Sequence, residues 1–247
     1  HAENLNNVQT GVAAAVEEKM KSERFRTELI TNVSHDIKTP LTSIIGYGEQ
    51  LSRQMLSPEA DALVYKLNHK SLYLLDMVEE IFELSKASSG HLPMKRETID
   101  IGRLLEQTLG EMDEDLCASG FQLKKDYPLT GMLVLCDGLH MHRVFQNLFD
   151  NALKYACPQT RIFIHASQRS DQFCEIRIRN TSRVPLDFDP EEITKRFVRG
   201  EKARTGEGSG LGLAIAKTYT ESCGGQFHIV IEDDCFIAVV CLPSITS

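Results

Sequence analysis

Three groups of side chains in this sequence have the types and spacing to do chemistry. His35 and Asp36 are adjacent, with Thr39 one helical turn on, in the run Ser34-His35-Asp36-Ile37-Lys38-Thr39-Pro40-Leu41. A neutral imidazole is a nucleophile, and a neighbouring carboxylate can orient it or take its proton. Asn147, Asn151, Lys154 and Tyr155 stand at i, i+4, i+7 and i+8, so they project from one face of a helix. Amide oxygens suit Mg²⁺, and a lysine one turn on can neutralise phosphate charge. Gly206, Gly208, Gly210 and Gly212 run directly into the amphipathic stretch Leu213-Ala214-Ile215-Ala216-Lys217. Glycines let backbone N–H groups approach phosphate oxygens, and the helix start adds its positive dipole end. Between the last two groups, Arg196 and Arg199 flank Phe197. Their planar guanidinium forks fit a phosphate. Each group has a plainer reading: a solvated histidine beside a kink, a polar helix face, a flexible loop.

The elements that would position these residues follow from periodicity. From Val12 to Met55 the pattern is one long helix, and at about 100° per residue Val33, Ile37, Ile44, Gly48, Leu51 and Met55 fall in a narrow sector. His35 and Thr39 lie on the opposite, exposed face. Pro40 frees the carbonyl of Asp36 and predicts a bend there. Ser57-Pro58-Glu59 reads as a second helix start, followed by Leu63, Leu67, Leu74, Leu75, Val78, Ile81 and Phe82 on one stripe, with fraying at Ser88-Ser89-Gly90. Two helices with one apolar stripe each hide them best when a second copy completes a four-helix bundle. The expectation is a homodimer; the alternative, burial against the second domain, would cover the face that must be reached.

Gly90 to Pro93 reads as a linker. Beyond it the pattern alternates: Met94–Ile99 extended, Ile101–Cys117 helical, Phe121–Tyr127 and Met132–Cys136 extended, Leu139–Tyr155 helical, then strands Arg161–Ala166 and Phe173–Arg179. A helix over Leu211–Cys223 and strands Gln226–Glu232 and Phe236–Leu242 complete it. The fold class expected is an all-α hairpin followed by an α+β two-layer sandwich of antiparallel strands with helices on one face. The domains are then 1–24, an entering signalling helix; 25–90, the helical hairpin; and 91–247, the sandwich.

Composition narrows the function classes. The chain has 247 residues, room for two small domains, and a net charge of -8, which leaves no basic excess for nucleic acid. No apolar run reaches the roughly 18 residues that span a bilayer. Seven scattered cysteines without a Cys-x-x-Cys pair read as reduced thiols and not as a zinc site.

The eight-residue run around His35 resembles the phosphoacceptor box of two-component sensor histidine kinases, and with its extension through Tyr47 it is most similar to Gram-positive sensors, including the vancomycin-resistance type. The later motifs resemble, in order, the family's asparagine box, phenylalanine box and glycine-rich box. They belong to the ATP-binding fold shared by histidine kinases, DNA gyrase, the Hsp90 chaperones and MutL. The resemblance implies that His35 attacks the γ-phosphate of ATP, that Asp36 holds its tautomer and accepts the proton, and that Thr39 places a water for hydrolysis of the phosphorylated response regulator. It implies Asn151 as Mg²⁺ ligand with Asn147 assisting, Lys154 on phosphate and Tyr155 flanking the nucleotide. Gly208, Gly210, Leu211 and Gly212 would meet the phosphates, and Arg196 or Arg199 would reach the γ-phosphate.

Hydrolytic relatives carry a glutamate base four residues before the metal-binding asparagine; here that residue is Asn147, which favours transfer to histidine over transfer to water. Two departures stand out. Where the family has Asp-x-Gly-x-Gly reading adenine, this chain has Asn180-Thr181-Ser182-Arg183-Val184-Pro185, and Thr194 replaces a lid phenylalanine. The implied partner is a response-regulator receiver domain, with membrane tethering through an upstream sensor region. The alternatives are a non-catalytic signalling module and a protein that acts mainly as regulator phosphatase.

Overall fold

The computed structural model describes residues 37–54, 56–88, 94–194 and 210–245. The chain divides into two units, His1–Leu92 and Pro93–Ser247. In the first, helix α1 covers residues 37–52 and runs through Pro40 without a break. The hydroxyls of Thr42 and Ser43 donate back to the carbonyls of Lys38 and Thr39 around it. Helix α2, Pro58–Ser88, starts as expected: Ser57 Oγ accepts from Ala60 N, Pro58 takes the first helical position, and Glu59 and Asp61 occupy the positive end. The two helices approach closely at Gly48, where any Cβ would meet the Asn68 amide.

The apolar stripe of α1 resolves into two lines. Leu41 and Gly48 are buried inside the hairpin. Ile37, Ile44 and Leu51, also at heptad spacing, are 37%, 42% and 42% exposed, and on α2 Leu63, Leu67 and Leu74 are exposed too. An ion pair, Lys38 Nζ to Glu79 Oε1 at 2.7 Å, ties the helices. Being largely solvated, it contributes about 1 kcal/mol at most. No helix among the described residues is long and apolar enough to cross a membrane.

The second unit opens with β1 (Glu97–Asp100), α3 (Ile101–Glu111), α4 (Asp113–Ser119), β2 (Gln122–Asp126) and β3 (Leu133–Cys136). Then come α5 (Gly138–Tyr155), β4 (Arg161–Gln168), β5 (Phe173–Thr181), a 3₁₀ turn at Glu192–Thr194, α6 (Gly212–Ser222), β6 (Gln226–Glu232) and β7 (Cys235–Pro243). Five strands form one sheet in the order β2-β4-β5-β7-β6, and β1 pairs with β3 apart from it. Alternation puts Ile162, Ile164, Ile176, Ile178, Ala238 and Val240 on the buried face, against Leu105 of α3, Phe145 and Phe149 of α5, and Ile215 of α6. Each such aromatic or aliphatic side chain contributes roughly 1.5–3 kcal/mol by leaving water.

Two expectations are corrected. The sheet is not wholly antiparallel: β2 runs parallel to β4, because β3 and α5 intervene and return the chain to the same end. The helix expected over Ile101–Cys117 breaks at Met112, whose ψ of 10° leaves the helical region. Glu111, Asp113, Glu114 and Asp115 would all crowd the negative end of a single helix there. The break puts three of them in the first turn of α4, where the dipole favours them.

Candidate functional site

Helix α5 carries the first part of the site, and Asp137 fixes its start. Its Oδ1 accepts from His140 N at 3.1 Å and lies 2.9 Å from His140 Nδ1, while Oδ2 accepts from Lys95 N at 2.8 Å. Burial pushes this carboxyl up, but the N–H groups of His140 and Lys95 and the nearby imidazole outweigh it and hold it below the usual value. From this fixed start the inner face of α5 packs on the sheet, and Asn147, Asn151, Lys154 and Tyr155 emerge half-buried along one side.

Asn147 touches the second part of the site. Its Oδ1 lies 3.3 Å from where a Cβ on Gly212 would stand, and its buried Nδ2 has no hydrogen-bond partner. An orphaned amide at this point suits an acceptor oxygen. Gly212 begins α6, and Leu211, fully buried at the N-cap, anchors that helix start without a side-chain oxygen to close it. Gly210 has φ of +72°, a left-handed conformation that glycine adopts without strain. The first turn of α6 therefore starts against the asparagine face of α5, a combination that can hold a phosphate and its cation. Lys154 Nζ sits 5.4 Å from the centre of the Tyr155 ring, which keeps the ammonium on the same side.

The end of α5 is tied to the end of β5. Arg183 N donates to Tyr155 O, Cys157 N donates to Thr181 O, and Ala156 bridges Ser182. Asn180, two residues before that bridge, is only 2% exposed, and its amide makes a long 3.4 Å bond to Thr181 O. The turn that lacks the family's glycines is held by Ser182, whose Oγ donates to Val184 O and accepts from Val184 N. None of its residues needs positive φ. Serine thus supplies by hydrogen bonding what glycine would supply by freedom. Thr194 is buried and donates to Glu191 O, closing the 3₁₀ turn.

The structure thus brings Asn147 and Gly212 together, sets Asn151, Lys154 and Tyr155 on α5, and puts Gly210 and Leu211 directly before α6. Thr39 is exposed on α1. His35, Asp36, Arg196, Arg199, Gly206 and Gly208 lie outside the described residues. Asp137 and Ser182 were not singled out from sequence as positioning residues. An aspartate directly before Gly-Leu-His was the available signal for the first.

Comparison with known proteins agrees with this geometry. Residues 25–90 match the family model for the His Kinase A (phospho-acceptor) domain. Residues 136–244 match that for the histidine kinase-, DNA gyrase B-, and HSP90-like ATPase. The sensor histidine kinase YcbM of Bacillus subtilis is 29% identical over 213 residues, covering 85% of this chain and 68% of that protein. The sensor protein VanS of Enterococcus faecium is 30% identical over 244 residues, covering 97% and 63%. The sensor protein kinase WalK of Staphylococcus aureus is 30% identical over 217 residues, covering 85% of this chain and 52% of that one. Among solved structures, ShkA in complex with AMPPNP superposes with a TM-score of 0.76 at 22% identity, over 89% of this chain and 46% of that one. The histidine kinase AdeS of Acinetobacter baumannii does so with a TM-score of 0.60 at 20% identity, over 86% and 98%. The chain belongs to the two-component sensor histidine kinases, and it spans between about half and two thirds of the length of the three relatives named.

Proposed function

We propose that this chain binds Mg-ATP against α5 and the start of α6, phosphorylates His35, and transfers the phosphoryl group to an aspartate of a response-regulator receiver domain. The contact of Asn147 with Gly212 carries the reading, because it joins a cation-binding amide face to a phosphate-binding helix start. Asn151, assisted by Asn147, would hold Mg²⁺, which supplies charge neutralisation on the phosphates. Lys154 adds charge, Tyr155 flanks the nucleotide, and Arg196 or Arg199 serves the γ-phosphate. Gly208, Gly210, Leu211 and Gly212 present backbone N–H groups, and Asn180 offers its amide oxygen to the adenine amino group. His35 is the nucleophile; Asp36 fixes its tautomer and takes the proton, so that one nitrogen lone pair faces phosphorus. The step rests on positioning and charge neutralisation, which is the general character of phosphoryl transfer.

The partner reading follows from the exposed lines of α1 and α2. Ile37, Ile44, Leu51, Leu63, Leu67 and Leu74 have the spacing of a bundle seam and need a second copy to cover them. Tethering to the membrane through an upstream region agrees with the sensor relatives. A second activity, hydrolysis of the phosphorylated regulator, is supported by Thr39, whose place on the exposed side of α1 leaves it open to a docked partner.

The test is autophosphorylation with γ-labelled Mg-ATP. Acid-labile label on the native chain, absent from His35→Gln and Asn151→Ala, is the expected result. Label that persists in His35→Gln refutes the assignment of the phosphoacceptor. No label on the native chain at saturating ATP points to a silent signalling module.

A further inference from the structure

Helices α3, α5 and α6 take one face of the five-stranded sheet, and the strand register lays out the other. Lys124 of β2 stands opposite Phe163 of β4, and Phe163 opposite Arg179 of β5. Arg179 stands opposite Ile237 of β7, and Ile237 opposite Val230 of β6. These five side chains make one row across the sheet on the face away from the helices, since alternation buries their neighbours Ile162, Ile164, Ile178 and Ala238 on the helix side. The two halves of the row differ. Towards β6, Ile237 and Val230 belong to a small apolar cluster with Val239, Cys241 and Phe173. Towards β2, the Phe163 ring is 42% exposed, and Lys124 and Arg179 stand in solvent on either side of it. Arg161, two residues before Phe163 and on the same face of β4, is exposed as well.

Charge is sorted unevenly over this face. The carboxylates that its strands carry are engaged: Asp126 Oδ2 lies 2.9 Å from His165 Nδ1, Glu175 Oε2 lies 2.9 Å from Arg169 Nη1, and Glu232 Oε1 lies 3.9 Å from Arg177 Nη2. Among the described residues no carboxylate forms an ion pair with Lys124, Arg161 or Arg179. The Arg179 guanidinium is held by other groups. Its carbon sits 5.9 Å from the centre of the Phe163 ring, and its Nη2 donates to Cys235 Sγ at 3.2 Å. These contacts fix the fork in place and leave its charge unpaired. The chain as a whole carries a net charge of -8, so a positive surplus around an exposed ring reverses its overall balance. An acidic partner is drawn to this patch and repelled by the rest of the surface, which selects both the place and the orientation of docking.

We propose that Lys124, Arg161 and Arg179, set around Phe163, dock a short acidic segment of a partner protein in which carboxylates flank an apolar side chain. The apolar side chain lies on the Phe163 ring. The guanidinium forks of Arg161 and Arg179 can each take a carboxylate through two parallel hydrogen bonds, and Lys124 adds a point charge at the edge of the sheet. Phe163 stands on a strand paired on both sides, and Arg179 is already held, so little ordering is left to oppose binding. A nucleic-acid strand fits this face less well. It needs a run of stacking rings and a continuous basic track. Here Phe163 is the one exposed ring among the described residues of the face, and Asp126, Glu175 and Glu232 would confront the phosphates beyond it. The face lies across the sheet from α5 and α6, so a segment docked on it leaves the nucleotide helices uncovered.

The probe is a fluorescein-labelled peptide, Glu-Asp-Leu-Glu-Phe-Glu-Asp, titrated with the full chain at low salt and read by fluorescence anisotropy. Saturable binding is expected, weakening by about tenfold when the salt is raised several-fold, because exposed charges are screened. The double variant Lys124→Glu, Arg161→Glu should bind about tenfold more weakly or not at all. Phe163→Ala should bind about fivefold more weakly. All three side chains are exposed, and circular dichroism with thermal melting checks that both variants fold. The same peptide with Gln and Asn in place of its acids should not bind the native chain, a control that needs no variant. No saturable binding to the native chain overturns the proposal, as does equal binding by the native chain and both variants. A labelled single-stranded oligonucleotide that binds more tightly than the acidic peptide, and is lost in the same variants, overturns it in favour of a nucleic-acid surface.

Discussion

Asp137→Ala tests whether α5 is held from its first turn. The native carboxylate accepts two backbone N–H bonds, at 3.1 and 2.8 Å, and sits 2.9 Å from the His140 ring. Losing the cap costs about 1 kcal/mol. Leaving the Lys95 N–H to find another partner costs about 1 kcal/mol more, the low end of the range, since Lys95 is exposed and water can reach it. The sum, about 2 kcal/mol, should lower the melting temperature of the nucleotide unit by roughly 4–8 °C. Calorimetry of the full chain, with hydrogen exchange on peptides from α5 to assign the transition, measures this.

The pH dependence sharpens the test. The folded-state pKa of Asp137 is depressed, so its stabilisation is complete above the ordinary carboxylate value and is lost as pH falls through the folded one. The gap between native and variant should therefore close in acid, below about pH 4. A variant that melts within about 1 °C of the native chain at neutral pH, against the several degrees expected, refutes the reasoning. It would mean that water replaces all three contacts.

Three further outcomes are expected. Gly210→Ala places a Cβ on a residue at φ +72° and should cost about 1–2 kcal/mol in the nucleotide unit; thermal unfolding that is unchanged would contradict the strain argument. Ile44→Asp puts a charge on the exposed apolar line of α1 and should shift sedimentation from dimer to monomer, leaving the fold of the second unit intact by circular dichroism. Asn180→Asp gives the adenine amino group a charged acceptor and should tighten ATP by about fivefold, or about 1 kcal/mol. Equal affinities in equilibrium dialysis would show that this residue does not read the base.

Much of the second unit was legible because its periods are strong. Strand β6 occupies the predicted Gln226–Glu232, and α5 begins one residue before its predicted start. What failed depends on longer-range relations. Leu105, Leu109, Met112 and Leu116 keep helical spacing across the break, so the apolar pattern hides it. Only the cluster of acids signals that a new helix start would relieve the dipole conflict. The direction of β2 cannot be read from its own residues, because it is set by where α5 returns the chain. On α1 the sequence shows one stripe where the structure has two lines, one for the hairpin partner and one facing outward. Periodicity records which side is apolar and not which neighbour covers it. The candidate site was legible as residue types, since Asn147, Asn151 and Gly212 carry their chemistry in their names. Their meeting was not, because the register of α5 on α6 is fixed by packing at Tyr219 and His140, far along both helices.

The outward apolar lines of the hairpin have a consequence beyond assembly. The nucleotide unit buries its own core, so its unfolding should be independent of how much protein is present. The hairpin leaves Ile37, Ile44 and Leu51 in water unless another chain arrives, so its stability follows mass action and rises with protein concentration. On dilution, the end of the molecule that would accept the phosphoryl group should soften while the end that would hold ATP stays folded. Phosphoryl acceptance would then be limited by the local density of chains, and nucleotide binding would not.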